Sequence, residues 1–249
     1  MSAKPAGPHT LAVDVGGTGI KAAVLDKDGA MQGDHQRIAT PHPCPPQAML
    51  EVVSRLIAKL PEFDRISVGF PGAVRAGRVL TAPNLGTQPW RHFDLVHALS
   101  DHFGKPARVL NDAEVQGLGI IEGHGLEVVL TLGTGIGSAV FSEGRLTPHL
   151  ELGQHPITKR RSYDHYIGDV ERRRIGASRW NQRVAKVLAI AETLFNFDTL
   201  YLGGGNAQRL KIDLPENVQL ASNAAGITGG IRLWDDHIWD AVPSTHQPG

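Results

Sequence analysis

The chain has one cysteine in 249 residues, Cys44, which excludes an internal disulfide and any multi-cysteine metal centre. That thiol lies in Pro41-His42-Pro43-Cys44-Pro45-Pro46, a stiff loop with no visible feature to lower its pKa, and reads as incidental. There is no charge surplus either, because Lys+Arg and Asp+Glu both number 25. A balanced chain argues against nucleic acid or an anionic membrane as its main partner. No run approaches the ~18 apolar residues needed to cross a bilayer, and the opening MSAKPAGPHT lacks an apolar signal core. A cytoplasmic protein is expected. The twelve histidines are scattered.

What the chain does have is glycine. Its 29 glycines exceed the roughly 7% that average usage supplies. They gather at Gly16–Gly19, Gly133–Gly137, Gly203–Gly205 and Gly226–Gly230. Glycines placed just after short β-branched runs mark turns where backbone must approach something closely. With 41% hydrophobic residues the chain can fill real cores, and its length suits one large domain or two modest ones.

The hydrophobic pattern predicts strands at Leu11–Val15, Ile20–Leu25 and Met31–Ala39, a helix at Ala48–Leu60 and a strand at Ile66–Phe70. A helix over Phe93–Phe103, a strand over Ala107–Leu110 and a helix over Ala113–Ile121 follow. The second half repeats the opening: strand Val128–Leu132, a glycine turn and strand Ile136–Phe141. A polar stretch from Glu151 to Gly176 precedes a helix at Trp180–Phe195, a strand at Leu200–Leu202 and a final helix at Ala224–Trp234. The tail after Val242 is polar and expected to fray. Two α/β domains, residues 1–115 and 116–249, facing each other across a cleft, are expected.

Five segments carry candidate chemistry. The first is Asp14-Val15-Gly16-Gly17-Thr18-Gly19-Ile20-Lys21. Its glycines let backbone N–H groups surround a phosphate, and the Thr18 hydroxyl adds a donor. Asp14 could hold a hydrated Mg²⁺. The second is Thr131-Leu132-Gly133-Thr134-Gly135-Ile136-Gly137-Ser138. A strand rather than a helix follows it, which excludes a dinucleotide-binding turn, and no Gly-Lys-Ser/Thr of a Walker A loop occurs. Strand–turn–strand glycine motifs in both halves suit a phosphate chain clamped between two domains.

The third segment is Asn111-Asp112, at a strand–helix junction. Phosphoryl transfer to an alcohol needs a carboxylate to take the hydroxyl proton, and Asn111 could hold the acceptor. Asp112 could equally cap the following helix. The fourth comprises Gly69-Phe70-Pro71-Gly72, Ala82-Pro83-Asn84-Leu85 and Glu151-Leu152-Gly153-Gln154. Asn84, Glu151 and Gln154 supply the planar amides and carboxylates that bind vicinal hydroxyls. The fifth is Gly203-Gly204-Gly205-Asn206, with Ser222-Asn223-Ala224-Ala225-Gly226 behind it. It is either a nucleotide or polyphosphate-tail turn or a tight strand-to-helix connection.

Together these segments resemble the ROK family of sugar kinases and repressors, in the family's order and over nearly the whole chain. The closest likeness is to the polyphosphate glucokinase branch, given the short chain and the wording of residues 14–21. The resemblance implies an actin-like ATPase (ribonuclease H-like) α/β fold, a homodimer, Mg²⁺, and ATP or polyphosphate as phosphoryl donor to the 6-hydroxyl of glucose. It makes Asp112 the base and gives Asn84, Asn111 and Glu151 the sugar hydroxyls, with backbone near Gly72 lining the pocket. It assigns the donor phosphates to Gly16, Gly17, Thr18, Thr134 and Gly135, with Gly19, Lys21, Thr131, Gly133, Gly204 and Gly205 completing the donor side.

This chain departs from the family where Gln154 replaces the usual histidine of Glu-x-Gly-His and where the cysteine-rich zinc segment is missing, so no structural zinc is expected. The glutamate of that segment goes with it, and Glu171 is a candidate substitute. The run Arg172-Arg173-Arg174 could line a path for a long polyanion or form a solvated helix face. Few residues precede the first strand, too few for the helix-turn-helix of the family's repressors. A non-catalytic sugar-binding member remains the alternative to a kinase.

Overall fold

The computed structural model describes residues 7–221 and 225–239. Two compact units emerge, one holding the described residues up to Gly119 and those from Ala225 onward, the other those from Ile120 to Ala221.

In the first unit, strands β1 (Thr10–Val15) and β2 (Ile20–Leu25) form an antiparallel hairpin, and β3 (Gln36–Ile38) extends it. The expected third strand is shorter than Met31–Ala39, because Gly29 and Gly33 adopt positive φ and the chain turns there. Helix α1 (Pro46–Ile57) opens with proline at its first turn and buries Met49, Val52, Val53 and Leu56. Strand β4 (Arg65–Phe70) then pairs parallel with β1. A two-stranded ribbon of β5 (Val74–Arg75) and β6 (Arg78–Val79) follows. Next come the single turn α2 (Thr87–Trp90) and helix α3 (Leu95–Phe103), capped by the Asp94 carboxylate. Strand β7 (Ala107–Asn111) closes the sheet beside β4 and runs into α4 (Asp112–Leu118). The order is β3-β2-β1-β4-β7. Trp90 is wholly buried against Phe70, and its indole N–H donates to the Cys44 carbonyl at 2.8 Å.

The second unit repeats that sheet. Strands β8 (Leu126–Leu132), β9 (Ile136–Ser142) and β10 (Arg145–Leu146) form the antiparallel part. The polar stretch folds as a 3₁₀ turn at Leu152–Gln154, a ribbon of β11 (Pro156–Thr158) and β12 (Arg161–Ser162), and two short helices, α5 (Tyr163–Ile167) and α6 (Asp169–Ile175). Long helix α7 (Ala177–Phe195) buries Trp180, Val184, Val187, Leu188 and Ala191 along one stripe. Strands β13 (Thr199–Gly203) and β14 (Val218–Leu220) add parallel to β8. The order β10-β9-β8-β13-β14 reproduces the first sheet strand for strand.

The sequence reading assigns residues 116–249 to one domain, but the described C-terminal segment packs on the first unit. Nor is the expected final helix continuous. Only α8 (Ala225–Thr228) is α-helical, and 3₁₀ turns follow at Gly229–Trp234 and Asp236–Trp239. Gly229 and Gly230 weaken an α-helix at this point, and they stand there because a side chain at Gly229 would collide with the Val115 carbonyl and one at Gly230 would crowd Ala12. Beyond them, Trp234 donates its indole N–H to Ser67 Oγ at 2.9 Å and lies under the guanidinium groups of Arg65 and Arg108, 4.9 and 4.7 Å from its ring centre. The expectations for Ser222, Asn223, Ala224 and the tail after Val242 fall outside the described residues. Trp234→Ala is expected to lower unfolding stability by about 3 kcal/mol and Trp234→Phe by about 1 kcal/mol through the lost Ser67 bond, read from urea denaturation midpoints.

Candidate active site

In the first unit, the β1–β2 turn closes with a hydrogen bond from the Gly16 N–H to the Gly19 carbonyl at 3.0 Å. The carbonyls of Gly16 and Thr18 are held from outside. Thr40 Oγ1 donates to Gly16 O at 2.6 Å, and Arg37 donates to Thr18 O at 3.1 Å. The N–H groups of Gly17 and Thr18 make no hydrogen bond to any described residue, and Thr18 is exposed. The antiparallel register sets Asp14 opposite Lys21, and they form an ion pair at 3.2 Å. Burial pushes the Asp14 carboxyl upward against the pull of Lys21. Asn84 packs directly on Gly17, so two segments far apart in sequence meet at this turn.

Asn111, not Asp112, caps α4. Its side-chain oxygen accepts from Ala113 N at 2.9 Å, while Glu114 reaches back to the Asn111 N–H at 3.1 Å, a capping box. The Asn111 amide also donates to Gly72 O at 3.2 Å. It is buried, so it locks the Phe70–Gly72 loop to the helix start. Gly72 is glycine of necessity, since a side chain would meet the Thr81 carbonyl. Asp112, half-buried at the first helical position, is thereby relieved of being the sole cap, although its Oδ1 also accepts from Ala113 N at 2.9 Å.

The second unit builds a matching turn. Gly133 N donates to Gly135 O at 3.0 Å, and the N–H groups of Thr134 and Gly135 make no bond to any described residue. Thr131 serves the turn's closure, its hydroxyl accepting from Gly137 N at 3.2 Å. The Gly133 carbonyl accepts from the Asn206 amide and the Asp169 N–H, both at 3.1 Å. Asn206 thus ties the second and fifth segments together. Gly204 sits at φ 84° with its backbone against Leu132, leaving no room for a side chain, whereas Gly205 faces open space.

Two residues to which sequence reasoning gave no role stand here: Asn206, the last of the fifth segment, and Asp164. Asp164 Oδ1 accepts from the Ile136 N–H at 2.8 Å and its Oδ2 from Gln154 Nε2 at 2.6 Å. Gly135 and Gly153 are glycines because this carboxylate occupies the space their side chains would need. Asp164 therefore joins the phosphate-type turn to the Glu151–Gln154 segment, and the amide of Gln154 is what reaches it. Glu171, by contrast, is committed elsewhere: Arg174 at 2.6 Å, Arg183 at 2.7 Å and Arg161 surround it and hold its carboxyl well below the usual range. That engagement leaves it unsuited to replace a sugar-binding glutamate. No cluster of three potential metal ligands occurs among the described residues.

Burial raises the Asp164 carboxyl above its ordinary 3.8, reinforced by the charge of Glu151 and opposed by the Ile136 and Gln154 bonds. A folded-state pKa above the unfolded one contributes stability at low pH that is lost as pH rises through the folded value. Asp164→Asn removes that contribution. The thermal midpoint of the wild type is expected to fall relative to Asp164→Asn as pH rises from below 3.8 through the raised pKa, as a calorimetric pH series would record.

A sequence model of the ROK family matches residues 10–151. The chain is 31% identical over 237 residues to the polyphosphate glucokinase of Mycobacterium tuberculosis, covering 89% of each protein. It superposes on the inorganic polyphosphate/ATP-glucomannokinase of Arthrobacter sp. strain KM with a TM-score of 0.81 and 30% identity, over 90% of this chain and 97% of that one. A ROK family glucokinase from Streptomyces griseus shares the fold at a TM-score of 0.76 and 20% identity, over 92% and 99% of the two chains. The duplicated five-stranded sheets are those of the actin-like ATPase fold, and the chain belongs to the ROK family.

Proposed function

We propose that this chain is a hexose kinase that transfers a phosphoryl group from polyphosphate or ATP to the 6-hydroxyl of glucose. The observation that carries the reading is the pair of glycine turns. Each has two successive N–H groups with no hydrogen bond to any described residue, beside carbonyls that the protein engages at Gly16, Thr18 and Gly19 in the first turn and at Gly133, Thr134 and Gly135 in the second, a donor-rich surface suited to phosphate oxygens. Relatives named polyphosphate glucokinase and polyphosphate/ATP-glucomannokinase support the same chemistry.

In this reading Gly16, Gly17, Thr18, Gly19, Gly133, Thr134 and Gly135 cradle donor phosphates, and Gly204 and Gly205 take the distal part of the donor. Lys21 and Thr131 hold the turns in shape through Asp14 and Gly137. Asp112 accepts the proton of the acceptor hydroxyl as its oxygen bonds to phosphorus, and the shortened donor leaves. Asn84, Glu151 and Gln154 bind sugar hydroxyls. Asn111 works through Gly72 and the helix start, because its amide is engaged there. Asp14, a lone carboxylate with Lys21 on one oxygen, fits a hydrated Mg²⁺ better than a fully dehydrated ion, which would need more ligands. When bound, that ion would neutralise phosphate charge. Assembly as a homodimer and a cytoplasmic location rest on the family resemblance and on the sequence pattern.

A coupled assay for glucose 6-phosphate tests the reading. Turnover is expected with polyphosphate or ATP, and Asp112→Asn is expected to lower kcat by roughly 10²–10⁴-fold with little change in the KM for glucose. No product from any hexose with either donor overturns it.

A further inference from the structure

The segment that follows β10 is fixed to the sheet at two points. The Thr147 hydroxyl donates to the Val140 carbonyl at 2.9 Å, and the Ser138 hydroxyl donates to the Leu150 carbonyl at 2.7 Å. His149 lies between these ties, with only 13% of its side chain exposed. Leu150, the next residue, is half exposed. The chain therefore turns an imidazole inward and a large apolar side chain outward, the reverse of what the two residue types ordinarily prefer.

What His149 faces is Glu151. Its Nε2 stands 3.7 Å from Glu151 Oε2, within ion-pair range and beyond hydrogen-bond length. The Glu151 side chain is the more open of the two, at 29% exposed. Gln154, the other polar group of this segment, gives its amide N–H to Asp164 instead. Asp164 is itself a carboxyl group that feels the charge of Glu151. Glu151 is thus within reach of one group of its own kind and one imidazole. A glutamate side chain left to itself samples many rotamers, and repulsion from an ionised Asp164 acts on it as well. The imidazole is what opposes both.

We propose that His149 is a positioning residue for the sugar carboxylate, holding Glu151 in the rotamer from which it accepts hydrogen bonds from the hexose hydroxyls. The inference rests on the proposed kinase reading and adds to it a residue that sets affinity for the acceptor. With its proton on Nε2 the ring directs an N–H toward the carboxylate, whether or not Nδ1 is protonated too. At 3.7 Å that N–H orients the carboxylate without saturating it, so both oxygens keep lone pairs for the sugar. A rotamer held in this way favours the bound sugar equally in the ground state and the transition state. It therefore acts on the KM for glucose and leaves kcat.

The test compares two variants of the full chain. His149→Phe keeps a ring of similar size and removes the donor, whereas His149→Gln keeps a donor and removes the ring. Glucose affinity is measured by calorimetry in the absence of phosphoryl donor, beside kcat and the KM values for glucose, ATP and polyphosphate. His149→Phe is expected to weaken glucose binding and raise its KM about tenfold, with kcat and the donor KM values within about twofold of wild type. His149→Gln is expected to stay within about threefold of wild type for glucose. In a Glu151→Gln background, adding His149→Phe is expected to change glucose affinity by less than about twofold, since the group it holds is gone. Thermal midpoints are recorded for each variant, and His149→Ala serves the same comparison where the phenyl ring disrupts folding. Unchanged glucose affinity in His149→Phe, an equal loss in His149→Gln, a fall in kcat at constant glucose KM, or full additivity with Glu151→Gln would each overturn the assignment. The kinase reading is scored separately. Wild type that binds glucose without turnover removes that reading and leaves the assignment to stand on affinity; wild type that binds no hexose overturns both.

Discussion

Carbonyl anchoring at the glycine turns is the constraint on which the rest of this structure depends. A turn that is to present N–H groups outward must have its carbonyls satisfied from behind, or it will turn its acceptors toward the ligand as well. In the first unit Thr40 and Arg37 do this from the strand beyond the hairpin and its continuation. In the second, the Asn206 amide and the Asp169 N–H at the start of α6 do it. The solutions differ in residues but agree in result.

The same logic runs through Asn111 and Asp164. Each is a short polar side chain with both ends engaged, and each fastens a loop that carries a candidate sugar contact to an element that carries a candidate phosphoryl contact. Asn111 ties Gly72 to the first turn of α4. Asp164 ties Gln154 to the Ile136 N–H. Gln154 supplies through its amide the donor that this carboxylate accepts.

The hairpins, the glycine turns and the Asn-Asp junction were legible in the sequence because each is encoded within about ten residues by glycine position, alternation and capping chemistry. Asn206, Asp164 and Arg37 were not, because nothing local distinguishes an amide or carboxylate that will reach a turn from one that will face water. Asp164 lies 28 positions from its partner Ile136, and Asn206 lies 73 from Gly133. Glu171 looked available because a run of arginines after it reads as a solvated face; only the packing of β12, α6 and α7 shows three of the region's arginines converging on it. The end of the chain was misassigned for a related reason. Its helical pattern is genuine for one turn, but the glycines that end it answer to Val115 and Ala12, in an earlier part of the sequence.

The return of residues 225–239 to the first unit bears on the order in which the protein is made. Translation delivers the first sheet early, yet Ser67, Arg65 and Arg108 wait for Trp234, which leaves the ribosome only after every strand of the second sheet. The second unit, continuous in sequence, can complete its hydrogen-bond ladders while the first still lacks its last layer. The unit that begins the chain therefore completes its packing only once residues 225–239 have been made.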